Sequence, residues 1–121
     1  MDETARLRGQ AMSGVLKALA HPTRLQMVEL LAGGERCVCE LAAAADTDVP
    51  GMSRHLSQLK SVGILADRRQ GKQVFYRLQT PCLLGFLHCI EDVVQAHGTR
   101  LVSLDALRAG TPNGGSRELA R

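Results

Sequence analysis

The sequence predicts a mostly α-helical fold with one β-hairpin: four helices, a two-stranded wing and a long closing helix. Three observations carry this. Apolar residues recur at helical spacing in successive segments up to Val62, separated by Pro, Gly and Asp. After Gly63 the pattern changes to strand-like alternation around Gln70-Gly71. From Pro81 a denser apolar segment returns to helical spacing.

The first helix is expected over residues 11–20, where Met12, Val15, Leu16 and Leu19 fall on one stripe. His21-Pro22 interrupts it, and Pro22 suits the first turn of a second helix running to Ala32. Leu25, Val28 and Ala32 are its expected inward residues, Met27, Leu30 and Leu31 widen the apolar arc, and Gly33-Gly34 ends it. A short third helix is expected from Val38 to Ala45, then a polar turn of Asp46, Thr47 and Asp48. Pro50 opens a fourth helix to Val62, with Gly63 as its stop. Met52, Leu56 and Leu59 lie on its inner face. At ~100° per residue the opposite face carries Arg54, Ser57, Gln58 and Ser61, flanked by Ser53 and His55. Ile64–Arg68 and Gln73–Leu78 are the hairpin strands, with Arg69 and Lys72 beside the tip. The last helix runs from Pro81 to His97, and its Leu83, Leu84, Phe86, Leu87, Ile90, Val93 and Val94 cover more than one narrow stripe. Residues 1–10 are polar and expected to be flexible, residues 11–98 form the domain, and residues 99–121 are expected to be a largely disordered tail.

At 121 residues the chain suits one domain with a modest core, and its 45% hydrophobic content excludes a disordered class. Phe75, Tyr76 and Phe86 are the only aromatic residues, so aliphatic side chains must build the core. No apolar run approaches the roughly 18 residues of a membrane span, and the charged N-terminus is no secretory signal. The expected compartment is the cytoplasm, where the four cysteines read as thiols, metal ligands or redox sensors rather than structural disulfides. Between positions 54 and 77, Arg54, Lys60, Arg68, Arg69, Lys72 and Arg77 face one acid, Asp67, so that stretch carries +5. The whole chain carries +3, which leaves −2 elsewhere. A local basic block is either a solvated surface or a polyanion-binding face, and the order of elements decides between them.

Two short helices joined by a tight polar turn, the second with a polar outer face, followed by a basic hairpin, describe a winged helix-turn-helix. Such a second helix fits the major groove of double-stranded DNA. There Arg54 suits guanine, Gln58 adenine, and Ser53 or Ser57 a base or phosphate. Arg68, Arg69 and Lys72 on the wing suit phosphates or the minor groove. The apolar excess of the last helix either closes the domain's own core or, together with the first helix, forms the interface of a homodimer that sets two reading helices on a palindrome.

The run Ala18-Leu19-Ala20-His21-Pro22-Thr23-Arg24-Leu25 resembles the second-helix signature of the ArsR/SmtB repressors. Met52-Ser53-Arg54-His55-Leu56-Ser57-Gln58-Leu59-Lys60, then Gly63-Ile64-Leu65, resembles their recognition helix and its exit. Asp67-Arg68-Arg69-Gln70-Gly71-Lys72 through Phe75-Tyr76-Arg77-Leu78 is similar to their wing, and the likeness spans roughly residues 12 to 95. It implies a homodimer on operator DNA, released by an inducer, with contacts centred on Ser53, Arg54, His55 and Gln58 and on the wing. Val49-Pro50-Gly51 departs from the Ser-Gln-Pro that members often carry at this point.

The pair Cys37-Val38-Cys39 has two readings: small buried hydrophobes, or thiolates that grip one soft ion. On a regular helix the two sulfurs stand ~200° apart, so joint ligation is expected to need unwinding of the first turn. The resemblance implies the second reading. Cys-Val-Cys before Glu40-Leu41 is similar to the site of arsenite-responsive members, where thiolates bind As(III) or Sb(III), and to the third-helix site of Cd(II) and Pb(II) sensors. Position 42, a third cysteine in the prototypes, is Ala42, so a further ligand is sought in Cys82 or Cys89. A thiol redox or persulfide sensor is the alternative regulator. No motif places a base and an oxyanion site around a cysteine, so an enzyme is not expected, nor is an organic cofactor.

Overall fold

The computed structural model describes residues 2–98. Within them run α1 (Glu3–Leu19), α2 (Pro22–Leu31), β1 (Arg36–Cys37), α3 (Val38–Ala44), α4 (Val49–Ser61), β2 (Leu65–Gln70), β3 (Gln73–Leu78) and α5 (Leu83–His97). The expected tail, residues 99–121, lies outside the described residues. The chain divides into two compact units after Leu84.

The first helix begins at Glu3, eight residues before the expected start, so it includes residues 3–10 of the expected N-terminal segment. Its start is polar and shows no apolar period. Asp2 caps it by accepting the Ala5 N–H at 2.7 Å, and Glu3 pairs with Arg6 one turn on. At its other end Ala18 and Leu19 are buried, while Met12 and Leu16 of the expected stripe stand about half exposed.

His21 caps α2 through Nδ1, which accepts the Thr23 N–H at 3.1 Å, and Pro22 takes the first helical position, where no N–H is needed. The buried face of α2 is Met27, Val28 and Leu31. Ala32, expected inward, is exposed because the helix ends at Leu31. The turn between α3 and α4 passes through Asp46 at φ 53°, a left-handed position that a short polar side chain tolerates. Asp48 then caps α4 by accepting the Gly51 N–H at 3.3 Å. Gly63, at φ 89°, ends that helix and turns the chain into the sheet.

The wing has a third strand beside the expected two. The order is β1-β3-β2, all antiparallel, with Arg36 opposite Tyr76, Cys37 opposite Phe75, and β2 running from Leu65 opposite Leu78 to Gln70 opposite Gln73. Two residues are too few to show alternation, which is why β1 has no sequence signature. The core of this unit gathers Leu19, Met27, Val28, Leu31, Leu41, Met52, Leu56, Leu59, Ile64, Leu65 and Tyr76. It locks α4 by its inner residues and leaves the outer ones free. In the second unit α5 has no buried residue, and Phe86, Ile90, Val93 and Val94 lie exposed at i, i+4, i+7 and i+8.

Candidate nucleic-acid interface and thiol site

The outer face of α4 follows from its period. Met52, Leu56 and Leu59 are fully buried, so Arg54, Ser57 and Gln58 are exposed and Ser53 is half-buried at the margin. Val49 stands exposed at the leading end of the helix, an apolar residue that the helical pattern alone does not mark, because its period begins at Met52. His55 differs from its neighbours. It is half-buried, its Nδ1 accepts the Arg24 Nε–H at 3.2 Å, and its ring lies 4.4 Å from that of His21. Burial first, then the positive charge of His21, Arg24 and Arg54, pushes its imidazole below the usual range. Arg24 and Glu35 are the partners that sequence reasoning missed, since each acts across more than thirty residues of chain.

The basic residues of the block are not equivalent. Arg68 donates from Nε to both Glu35 oxygens at 3.0 and 2.9 Å and from Nη2 to Oε1 at 2.7 Å. It also donates to Gln70 Oε1 at 2.6 Å and sits 4.7 Å from the centroid of the Phe75 ring. The Arg68 hydrogen bond holds the Glu35 carboxyl below its usual range. Lys60 at the end of α4 pairs with Asp67 of β2 at 3.0 Å. Arg69 and Lys72 are exposed at the hairpin tip, with no ion pair among the described residues. Gly71 between them, at φ 62°, makes the turn.

Cys37 and Cys39 straddle an element boundary. Cys37 is the last residue of β1 and the N-cap of α3, with extended backbone at φ −82° and ψ 159°. Cys39 lies in the first turn of α3. The expected ~200° separation of a regular helix therefore does not apply, because only Cys39 belongs to the helix. Cys37 is buried and Cys39 exposed. Glu40 accepts the Cys37 N–H at 3.1 Å, and this bond, followed by one from the Cys37 thiol, holds the Glu40 carboxyl below its usual range. Cys82 and Cys89 are free and exposed, Cys82 just before α5 and Cys89 within it. Among the described residues no group of three or more His, Cys, Asp or Glu is gathered for a metal ion. Thiols at residues 37 and 39 are of a donor type that suits soft, thiophilic ligands.

A capped, polar-faced helix after a tight turn, with a basic wing beside it, defines a winged helix-turn-helix DNA-binding regulator. The family described as "Bacterial regulatory protein, arsR family" matches residues 21–67. An arsenic resistance transcriptional regulator of Pseudomonas putida, ArsR2, is 42% identical over 101 residues, which span 83% of this chain and 87% of that protein. The arsenical resistance operon repressor of Escherichia coli is 52% identical over 65 residues, 53% of this chain and 56% of that one. Among solved structures, the homodimeric winged helix-turn-helix DNA-binding domain of a possible ArsR-family regulator from Mycobacterium bovis superposes with a TM-score of 0.70 at 30% identity, covering 82% of this chain and 94% of that one. The chain belongs to the arsR family of bacterial regulatory proteins and is a transcriptional regulator, not an enzyme. No helix among the described residues is long and apolar enough to cross a membrane.

Proposed function

We propose that the chain is a homodimeric, cytoplasmic repressor that occupies operator DNA and leaves it when As(III) or Sb(III) binds Cys37 and Cys39. The observation that carries this is the place of the two thiols. They sit where β1 becomes α3, so one junction touches the wing through Cys37 opposite Phe75 and leads through α3 into α4. The arsenic-resistance roles of the similar proteins support the choice of inducer. Two thiols exchange with arsenous acid by forming two S–As bonds and releasing two waters, which leaves one oxygen on arsenic for a third sulfur, from Cys82 or Cys89, to replace. The DNA face comprises Ser53, Arg54, Ser57 and Gln58 with Arg69 and Lys72, while His55 and Arg68 reach DNA only by giving up the partners they hold. Val49 suits a thymine methyl. The homodimer is assigned to the exposed apolar residues of α1 and α5, in line with the homodimeric Mycobacterium bovis domain.

The test is release of the protein from an operator duplex as arsenite, antimonite, Cd(II), Pb(II), zinc or a thiol oxidant is added in turn. Arsenite is expected to release the wild type and to fail with Cys37→Ala and with Cys39→Ser. Release that is unchanged in both variants sinks the site. Release by the oxidant alone transfers the function to redox sensing. Arg54→Ala is expected to cost about 1–3 kcal/mol of specific binding and much less on random DNA.

A further inference from the structure

We infer that His55 is a positioning residue of α4 rather than a reader of bases: Arg24 and His21 hold its neutral imidazole, and a proton on it loosens α4 from α2 and weakens operator binding. The inference rests on α4 being the helix that reads DNA.

Arg24 is the centre of the arrangement. Its Nη1–H donates to the Ala18 carbonyl at 3.0 Å while its Nε–H donates to His55 Nδ1 at 3.2 Å. The helical partner of that carbonyl is the amide of residue 22, and Pro22 has none, so the guanidinium fills the place that the proline vacates. One side chain thereby ties the end of α1 and the body of α2 to α4. A guanidinium only donates, so the bond to His55 exists only while Nδ1 carries no proton and Nε2 carries it. His21 is fixed in the same tautomer, because its Nδ1 accepts the Thr23 N–H, and its ring packs 4.4 Å from that of His55 at a 47° tilt.

The charged and titratable groups that face His55 are Arg24 from α2, His21 at the α2 cap and Arg54 on α4 itself. Arg24 and Arg54 are cationic throughout. Burial and these charges together hold the imidazole below its usual range, so the link is intact above that range and is lost as pH falls through the lowered value. A protonated His55 turns its acceptor into a donor that meets another donor, beside two arginines. The residue before it is Arg54, so a shift of α4 at this point moves the reading face directly. The sign of the effect is diagnostic. Added positive charge ordinarily strengthens phosphate binding, whereas this contact makes acid weaken it.

The test measures affinity, at fixed salt, for an operator duplex selected in vitro by the wild-type protein at pH 7.5. As pH falls from 7.5 through the acid side of the usual imidazole range the wild type is expected to lose severalfold in affinity. His55→Gln keeps an acceptor for Arg24 without titrating, and it is expected to give a nearly flat profile. At pH 7.5 it should also recover most of the binding that His55→Ala loses. The ¹⁵N shifts of the His55 ring in the folded wild type read the same proposal without a variant, and a bare Nδ1 at pH 7.5 is expected. A wild-type profile that matches His55→Gln, binding that tightens in acid, or an Nδ1 that carries a proton at pH 7.5 overturns the role given to His55, whatever Arg54→Ala does. An Arg54→Ala protein that discriminates operator from random duplex as well as the wild type overturns the reading face itself, and the proposal with it.

Discussion

Glu35 and Arg68 stand 33 residues apart in the chain and meet in a two-pronged ion pair. Both remain partly exposed, at 29% and 45% of the side chain, so the pair adds little to stability. Its consequence is for DNA. A guanidinium already claimed by a carboxylate is a poor phosphate ligand, and Glu35 competes with the operator for it. Glu35→Gln is expected to raise operator affinity about threefold to tenfold at low salt and to steepen the salt dependence by about one phosphate contact, as read from binding titrations at several salt concentrations. Unchanged affinity and slope would show that Arg68 never reaches the backbone. The Glu35 carboxyl is held below its usual range, so this competition is complete above that range and fades as pH falls through the lowered value. Residue by residue, the sequence is legible where chemistry is local. Helical phase sets Arg54, Ser57 and Gln58 outward without knowledge of any partner. The fates of His55 and Arg68 are not local, because Arg24 and Glu35 reach them only after the chain has folded.

At the scale of elements, caps decide the boundaries. Asp48 accepts the Gly51 N–H through Oδ2 at the start of α4, and a methyl group on Gly51 would come within 2.7 Å of Oδ1, the other oxygen of that carboxylate. Cap and glycine therefore belong together, and they account for Val49-Pro50-Gly51 as a helix start. Asp48→Ala is expected to destabilise the fold by about 1 kcal/mol, measured as a lower midpoint in urea unfolding with an unchanged slope. A loss near zero would mean that water replaces the cap. The apolar periods place α2, α3, α4 and the hairpin within a few residues. They fail at α1, whose first two turns are held by Asp2 and the Glu3–Arg6 pair rather than by burial, and at β1, whose two residues carry no period. The missed strand is the one that bears Cys37.

At the scale of the whole molecule, the unburied apolar surface calls for a partner. In α5 the exposed stripe runs through Phe86, Ile90, Val93 and Val94, with Val93 60% exposed, and in α1 Met12 and Leu16 are left about half open. The excess of apolar residues is plain in the sequence, but a single chain cannot state which surface covers it. Ile90→Asp is expected to shift the protein to a monomer in sedimentation velocity runs and to weaken operator binding by more than tenfold, since one reading helix replaces two. A variant that stays dimeric would move the interface elsewhere. The first unit holds the proposed reading face, the wing and both thiols at residues 37 and 39, and in the proposed dimer a second copy would supply the second reading.

Cys37 is both a donor candidate and the N-cap of α3, and that double post bears on how the protein should be interrogated. Serine is the customary stand-in for cysteine. At position 37 it would spell Ser-x-x-Glu with Glu40, the signature of a reciprocal cap, and its hydroxyl oxygen accepts a backbone N–H better than sulfur does. The exchange would remove a ligand and fasten a latch in one stroke. A serine protein that refuses to let go of its operator would confound deafness to the inducer with stiffness of the junction, and alanine at the same position separates the two.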